Sequence, residues 1–263
     1  MGGQDLRDFI IKRLNLWSRN EDNDFVEVAK WKECGTERTL EDMRGRECFV
    51  GIDLSSGGDL TSIALEFPID DKFYIYSHSF MPKGRLYEHI QTDIAPYDVW
   101  SNNGLLTVTG GETEYKNDYK FIISHLKELI EKYDLQIKAI GYDPHNADTF
   151  LSDLEEFGVP LLMVTQSAKF LNDATVDMRL EVKSKNIEYD KKNELLSWSF
   201  SNAKVVSNSF GEIKVDKEPR AKYKRIDPVD AVIDAHITYM KSKEELVDIE
   251  EEMNNYLEQM GWS

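Results

Sequence analysis

The chain predicts an α/β fold, with a central mixed sheet that begins as an antiparallel meander, gains parallel strands, and is flanked by helices. Two patterns predict it. Early on, three strand-like segments follow one another, CFVGIDLSS, TSIALEFPI and KFYIYSHSF, punctuated by Gly57-Gly58 and Asp70-Asp71. Later, helical apolar spacing alternates with short aliphatic runs. At 263 residues, 41% of them hydrophobic, the chain can bury one large core.

The stretch DLRDFIIKRLNLWSRN carries Leu6, Phe9, Ile10, Leu14 and Trp17 at helical spacing, as an arm on the domain or the end of a linker. Thr39 stands where it can cap a helix over LEDMRGR, with Asp42 at capping-box distance. After the meander, YKFIISHLKELIEKY predicts a long helix. IKAIGYD predicts a strand, and the segment after Asn146 a helix with Leu151, Leu154 and Phe157 on one face. VPLLMV predicts a strand and FLNDATVDMRLEVKSK a helix. Residues 187–215, including LLSWSF and GEIKVD, alternate as hairpins do. The last core helix is PVDAVIDAHITYM, with Pro228 at a permitted first-turn position. This gives an arm at 1–45, a central domain at 46–242 and an acidic tail at 243–263.

Charge and composition exclude some roles. No run approaches the roughly 18 apolar residues of a membrane span, and MGGQDLRDF lacks the apolar core of a signal peptide. Met1-Gly2-Gly3 reads as an added start, and the chain as a fragment of something longer. Cys34 and Cys48 have neither metal-ligand spacing nor enough partners for a disulfide framework, which fits a reducing cytosol. The net charge of -17 opposes whole-surface binding to nucleic acid. Locally, KEPRAKYKR carries five cations against one glutamate and ends two residues before Asp227. Lys217, Arg220, Lys222, Lys224 and Arg225 are therefore the phosphate-contact candidates, able to position a duplex without reading its sequence. A solubility role is the alternative.

Three aspartates stand at informative places: Asp53 within the first strand, Asp143 at the end of a later one, and Asp227 immediately before the last helix. They can meet only through the fold. A partly buried carboxylate must be paired, hydrogen-bonded or metal-bound. Three converging hard-oxygen ligands suit Mg²⁺ or Mn²⁺, and a pair of ions about 4 Å apart can hold the entering and leaving oxygens of an in-line phosphodiester displacement. Asp53, on the central strand, is the candidate bridge. Capping is the bland alternative for Asp143 and Asp227; it suits mid-strand Asp53 poorly.

Asp230 and Asp234 follow Asp227 on one helical face, as extra ligands or as a solvated stripe. Asp59 reads as a turn residue or a supporting acid, and His145 as a helix-start residue or a group orienting water or phosphate. His236 is turned away from Asp227, and Trp198 reads as core more readily than as a stacking group.

The segments WKEC (31–34), RGRECFVGIDLSSGGDLTSIALEFP (44–68), YDVWSNNGLLTVTGG (97–111), GYDPHNA (141–147), SNAKVV (201–206) and DKEPRAKYKRIDPVDAVIDA (216–235) together resemble the nuclease domain of tailed-phage large terminase subunits. The resemblance spans nearly the whole chain in order. It implies an RNase H-like fold, metal-binding acids at Asp53, Asp143 and Asp227, and a metal-dependent endonuclease cutting concatemeric DNA during packaging in the host cytoplasm. The implied partners are double-stranded DNA, a packaging ATPase domain, the portal and the small terminase subunit. No G-x-x-x-x-G-K-[ST] occurs, so the resemblance is to the nuclease part alone. Rival readings are an RNase H-like transposase or resolvase, an actin-like or sugar kinase, and a noncatalytic docking module.

Overall fold

The computed structural model describes residues 23–54, 60–144, 150–218 and 223–259, with side chains through 245. The meander forms as expected: β2 (Glu47–Asp53), β3 (Thr61–Ile69) and β4 (Lys72–Pro82) pair antiparallel in sequence. β6 (Gln136–Tyr142) then joins β2 in parallel, and β7 (Leu161–Met163) joins β6 in parallel. On the other side, β8 (Ile187–Asp190) pairs in parallel with β4 and with the two-residue β1 (Gly35–Thr36). β5 (Leu106–Thr109) runs parallel to the far end of β4. The eight-stranded order is β1-β8-β4-β3-β2-β6-β7, with β5 off the path. Its five central strands, three antiparallel and two parallel, give the RNase H-like arrangement.

Strand alternation sorts side chains to the two faces. Val50, Ile52, Ile63, Leu65 and Phe80 pack with Ile122 and Leu126 of α4 (Tyr119–Tyr133) and Leu154 of α5 (Leu151–Glu155). The opposite face lies under α6 (Ala168–Ser184), α7 (Glu194–Asn202) and α8 (Asp227–Gln259). α8 is buried almost all round over Val229–Ile237, so its apolar pattern is not a single stripe. α2 (Lys83–Asp93) and α3 (Tyr97–Asn102) form a smaller cluster with Trp198 and Leu106 beyond β4.

One expectation changes. LLSWSF is helix α7, not a hairpin strand. Asn193 caps it by accepting from the Leu196 N–H at 3.0 Å, and its residues are buried on several sides, so Leu196, Trp198 and Phe200 mimic period two. The GEIKVD hairpin does form, from β9 (Ala203–Ser207) and β10 (Ile213–Lys217). The described part of the expected arm, residues 23–45, lies on the domain. α1 (Val28–Glu33) carries Trp31, stacked on Phe200 with ring centres 3.5 Å apart and on Tyr189 at 4.3 Å, and Asp24 pairs with Lys204 at 2.5 Å. The expected helix over Leu6, Phe9, Ile10, Leu14 and Trp17 lies outside the described residues. Thr39 and Asp42 do meet, the Thr39 N–H donating to Asp42 Oδ2 at 2.8 Å over one 3₁₀ turn, Leu40–Met43. α8 continues helically to Gln259, through most of the expected acidic tail. Among the described residues no helix is long and apolar enough to cross a membrane.

Candidate functional site

β2 and β6 carry the same three-residue pattern at their carboxyl ends, Gly51-Ile52-Asp53 and Gly141-Tyr142-Asp143. Their register aligns Gly51 with Gly141 and Ile52 with Tyr142, and the Asp143 N–H donates to Ile52 O at 3.3 Å. Asp53 and Asp143 thus stand side by side on adjacent strands, about 4.8 Å apart along the hydrogen-bonding direction, on the face that bears α8.

The glycines let α8 come down on the sheet. A Cβ at Gly51 would run into the backbone of Ala231, Asp234 and Ala235; one at Gly141 would run into Thr238 Oγ1 and lie 2.7 Å from Asp234 O. A glycine within a strand often marks such an approach. The first turn of α8 then presents Asp227 and Asp230 at the carboxyl edge of β2, and Asp234 follows one turn deeper.

The charges feel one another. Burial pushes the Asp53 carboxyl well above the usual range, and the negative charges of Asp227, Asp230 and Asp143 push it further, opposed by Lys217. Asp230 is raised likewise, by burial and then by Asp227, Asp234 and Asp216, against Lys214. Asp234 is raised by burial, then by Asp53 and Asp143, while the hydrogen bond from Gln166 Nε2 to its Oδ1, 3.1 Å, works the other way. Asp234 is wholly buried, and its Oδ2 has no hydrogen-bond partner. So many mutually repelling hard-oxygen donors, one with an unsatisfied buried atom, fit a divalent cation. They are not a ready-made cage, since among the described residues no group of three or more His, Cys, Asp or Glu side chains is arranged to hold an ion. Like charges keep apart until a counter-charge draws them in.

Around this cluster, Asp143, Pro144, Thr165, Gln166 and Ser167 line an open cleft, and Lys214 Nζ reaches Gln166 O at 3.4 Å. Gln166 and Lys214 carried no signal of their own in the sequence, although GEIKVDK alternates in a way that sets Lys214 and Asp216 on one face.

A family model described as terminase large subunit, endonuclease domain, matches residues 4–244. The chain belongs to that family. The large terminase subunit of Enterobacteria phage HK97 is 29% identical over 210 residues, which is 78% of this chain and 40% of that protein. The large terminase subunit of Lactococcus phage SK1 is 25% identical over 202 residues, 75% of this chain and 36% of its own length. The crystal structure of the HK97 bacteriophage large terminase superposes with a TM-score of 0.70 at 28% identity, covering 81% of this chain and 43% of that one. The chain thus spans less than half the length of these relatives.

Within the terminase nuclease domain, the predicted residues divide. Asp53, Asp143, Asp227, Asp230 and Asp234 converge. Lys217 is exposed at the end of β10 and close enough to act on Asp53. Lys224 is half-buried, its Nζ 3.0 Å from Glu218 Oε2. Arg225, expected among the phosphate contacts, is buried instead. It is 9% exposed and its Nε donates to Asp93 Oδ2 at 2.9 Å, so its charge is satisfied inside the protein. His236 is indeed turned away, and lies buried between Glu66 and Asp177. Trp198 is core, beside Trp100 and Tyr97. Asp59, His145, Arg220 and Lys222 lie outside the described residues. Cys34 and Cys48 are buried free thiols.

Proposed function

We propose that this domain is a metal-dependent endodeoxyribonuclease that cuts concatemeric viral DNA during genome packaging in the host cytoplasm. One observation carries the reading: carboxylates from β2, the end of β6 and the start of α8 crowd the carboxyl edge of the sheet, and each raises its neighbours' proton affinity. A protein tolerates that repulsion where something positive relieves it in use.

In this reading Asp53, Asp143 and Asp227 would hold two divalent ions, Mg²⁺ or Mn²⁺, with Asp53 as the central ligand and Asp230 beside Asp227. When bound, the ions would supply Lewis-acid stabilisation of the charge that develops on phosphate oxygens and would ease loss of a proton from the attacking water, for hydrolysis to a 5′-phosphate and a 3′-hydroxyl. Asp53 and Asp143 owe their spacing to the β2–β6 register, and Asp227 and Asp230 owe theirs to the first turn of α8. Asp234 lies behind them, steadied by Gln166. Lys217 would meet the incoming phosphate backbone and steer it by charge, with Arg220, Lys222 and Lys224 of the same basic run as further contacts, giving weak sequence preference. With a net charge of -17 the domain grips DNA poorly by itself. The packaging ATPase domain, portal and small terminase subunit are the partners that hold the duplex in place.

Incubating supercoiled plasmid with the wild-type chain in Mg²⁺ or Mn²⁺ tests the proposal. Nicking and linearisation are expected, abolished by EDTA and by Asp53→Asn with the circular dichroism spectrum unchanged. Cleavage that survives EDTA would refute it.

A further inference from the structure

Arg225 and Asp93 form a buried, two-pronged ion pair. Besides the 2.9 Å contact from Nε to Oδ2, Arg225 Nη2 lies 3.4 Å from Asp93 Oδ1, and Nη2 is 2.9 Å from His89 Nδ1. Asp93 is held from other sides, its Oδ2 accepting from Tyr97 Oη at 2.8 Å and its Oδ1 from Thr92 Oγ1 at 2.8 Å. Burial raises the Asp93 carboxyl, yet His89, Arg225 and Tyr97 beside it prevail and hold it below its usual range. The main chain of Arg225 is fixed too, with Asn202 Nδ2 donating to its carbonyl at 3.1 Å. The next residue, buried Ile226, accepts the first turns of α8, from Val229 N at 2.6 Å and Asp230 N at 3.0 Å. Pro228 then restricts the backbone from the other side.

We infer that Arg225 and Asp93 are positioning residues for the cleavage centre: their pair anchors the chain two residues before Asp227 and so fixes where Asp227 and Asp230 meet Asp53. The lever is short, because two residues allow about 7 Å of travel if the anchor is released. A carboxylate displaced by even 1 Å loses much of its value to a site that must hold ions and phosphate together. This rests on the nuclease reading above. It also accounts for a cation in a basic run that is withheld from the surface: a guanidinium matches a carboxylate in two places at once, which a lysine cannot do.

The test uses Asp93→Asn, Arg225→Lys and the milder Tyr97→Phe, which removes one hydrogen bond to Asp93 and no charge. Mn²⁺ affinity of the chain without DNA is read by isothermal titration calorimetry, and duplex affinity by fluorescence anisotropy in Ca²⁺. Nicking is followed as a function of Mn²⁺ concentration. Asp93→Asn and Arg225→Lys are expected to weaken Mn²⁺ binding by about 10- to 100-fold, as loss of a group that orients a metal ligand does. Tyr97→Phe should weaken it in the same direction but less. Duplex affinity should barely change, and high Mn²⁺ should restore most of the nicking rate. If Asp93→Asn or Arg225→Lys fails to fold, Tyr97→Phe still decides. Unchanged Mn²⁺ affinity in the folded variants, or a fall in duplex affinity in Arg225→Lys matching that of Lys217→Ala, would overturn the inference while leaving the nuclease reading intact. A wild-type chain that neither binds Mn²⁺ nor nicks DNA would instead overturn that reading, and the inference with it.

Discussion

Gly51 faces Gly141 in register across β2 and β6, and the backbone of α8 occupies the space that a side chain at either position would need. The contact sets the height of the last helix over the sheet, and with it the reach of Asp227 and Asp230 toward Asp53 and Asp143.

Gly51→Ala should therefore damage both stability and site. A methyl group there meets main-chain atoms of Ala231, Asp234 and Ala235, which cannot rotate away. Overpacking of this kind costs about 1–3 kcal/mol. Urea unfolding should show the loss, and cleavage should fall further than stability alone explains. An unchanged midpoint would mean that α8 floats more freely than its packing indicates.

Removing a site carboxylate should make the metal-free protein more stable. The Asp53 proton affinity is raised in the fold, so the folded state holds its proton more tightly than the unfolded chain does. Stability from that proton is fully present below the unfolded value, near 3.8, and is lost as pH rises through the higher folded value. Asp53→Asn should melt above wild type at pH 8 in EDTA, and the gap should shrink as pH falls toward 4. Mn²⁺ should raise the wild-type melting temperature and leave the variant unmoved. A variant less stable than wild type at pH 8 would contradict the repulsion.

His236 works in the opposite sense. Burial alone would lower its proton affinity, but Glu66 and Asp177, with Nδ1 3.0 Å from Glu66 Oε1 and Nε2 3.0 Å from Asp177 Oδ2, raise it to about 10. The charged imidazole stabilises the fold below 6.5 and ceases to do so as pH climbs through about 10. His236→Gln leaves Glu66 buried without its counter-charge and should cost about 3–5 kcal/mol. Urea titrations at pH 6 and pH 10.5 should show a large difference between variant and wild type at the lower pH and a small one at the higher.

Lys217→Ala should weaken duplex binding alike for unrelated sequences, and reduce the slope of log affinity against log salt by about one. The wild-type chain should itself bind weakly, with a steep salt dependence. Tight binding that ignores salt would remove the electrostatic role given to β10.

The parts of this picture legible in the sequence were those with local periodicity or punctuation. The meander, α4, β6, α6 and the start of α8 all announce themselves by spacing and by turn or capping residues, and Asp143 and Asp227 fall at the edges of such elements; Asp53, expected in mid-strand, is instead the last residue of β2. α7 was hidden because burial on several sides erases the helical stripe and leaves Leu196, Trp198 and Phe200 in apparent alternation. α2 is built mainly on polar residues, and its two buried side chains, His89 and Asp93, are held through Tyr97 and Arg225, which lie outside it. For the same reason nothing local distinguished Arg225 from Lys217: one finds a buried carboxylate 132 residues away and the other does not leave the surface. The paired G-x-D patterns were visible, but their meaning depends on a parallel register that the sequence does not display.

The most direct measurement is anomalous X-ray scattering from crystals soaked in Mn²⁺. The account predicts density within ligating distance of Asp53 and of at least one of Asp143 and Asp227, with Asp53→Asn crystals losing it. Clean maps from well-diffracting soaked crystals with no peak among these carboxylates, or with manganese bound only elsewhere, would contradict it.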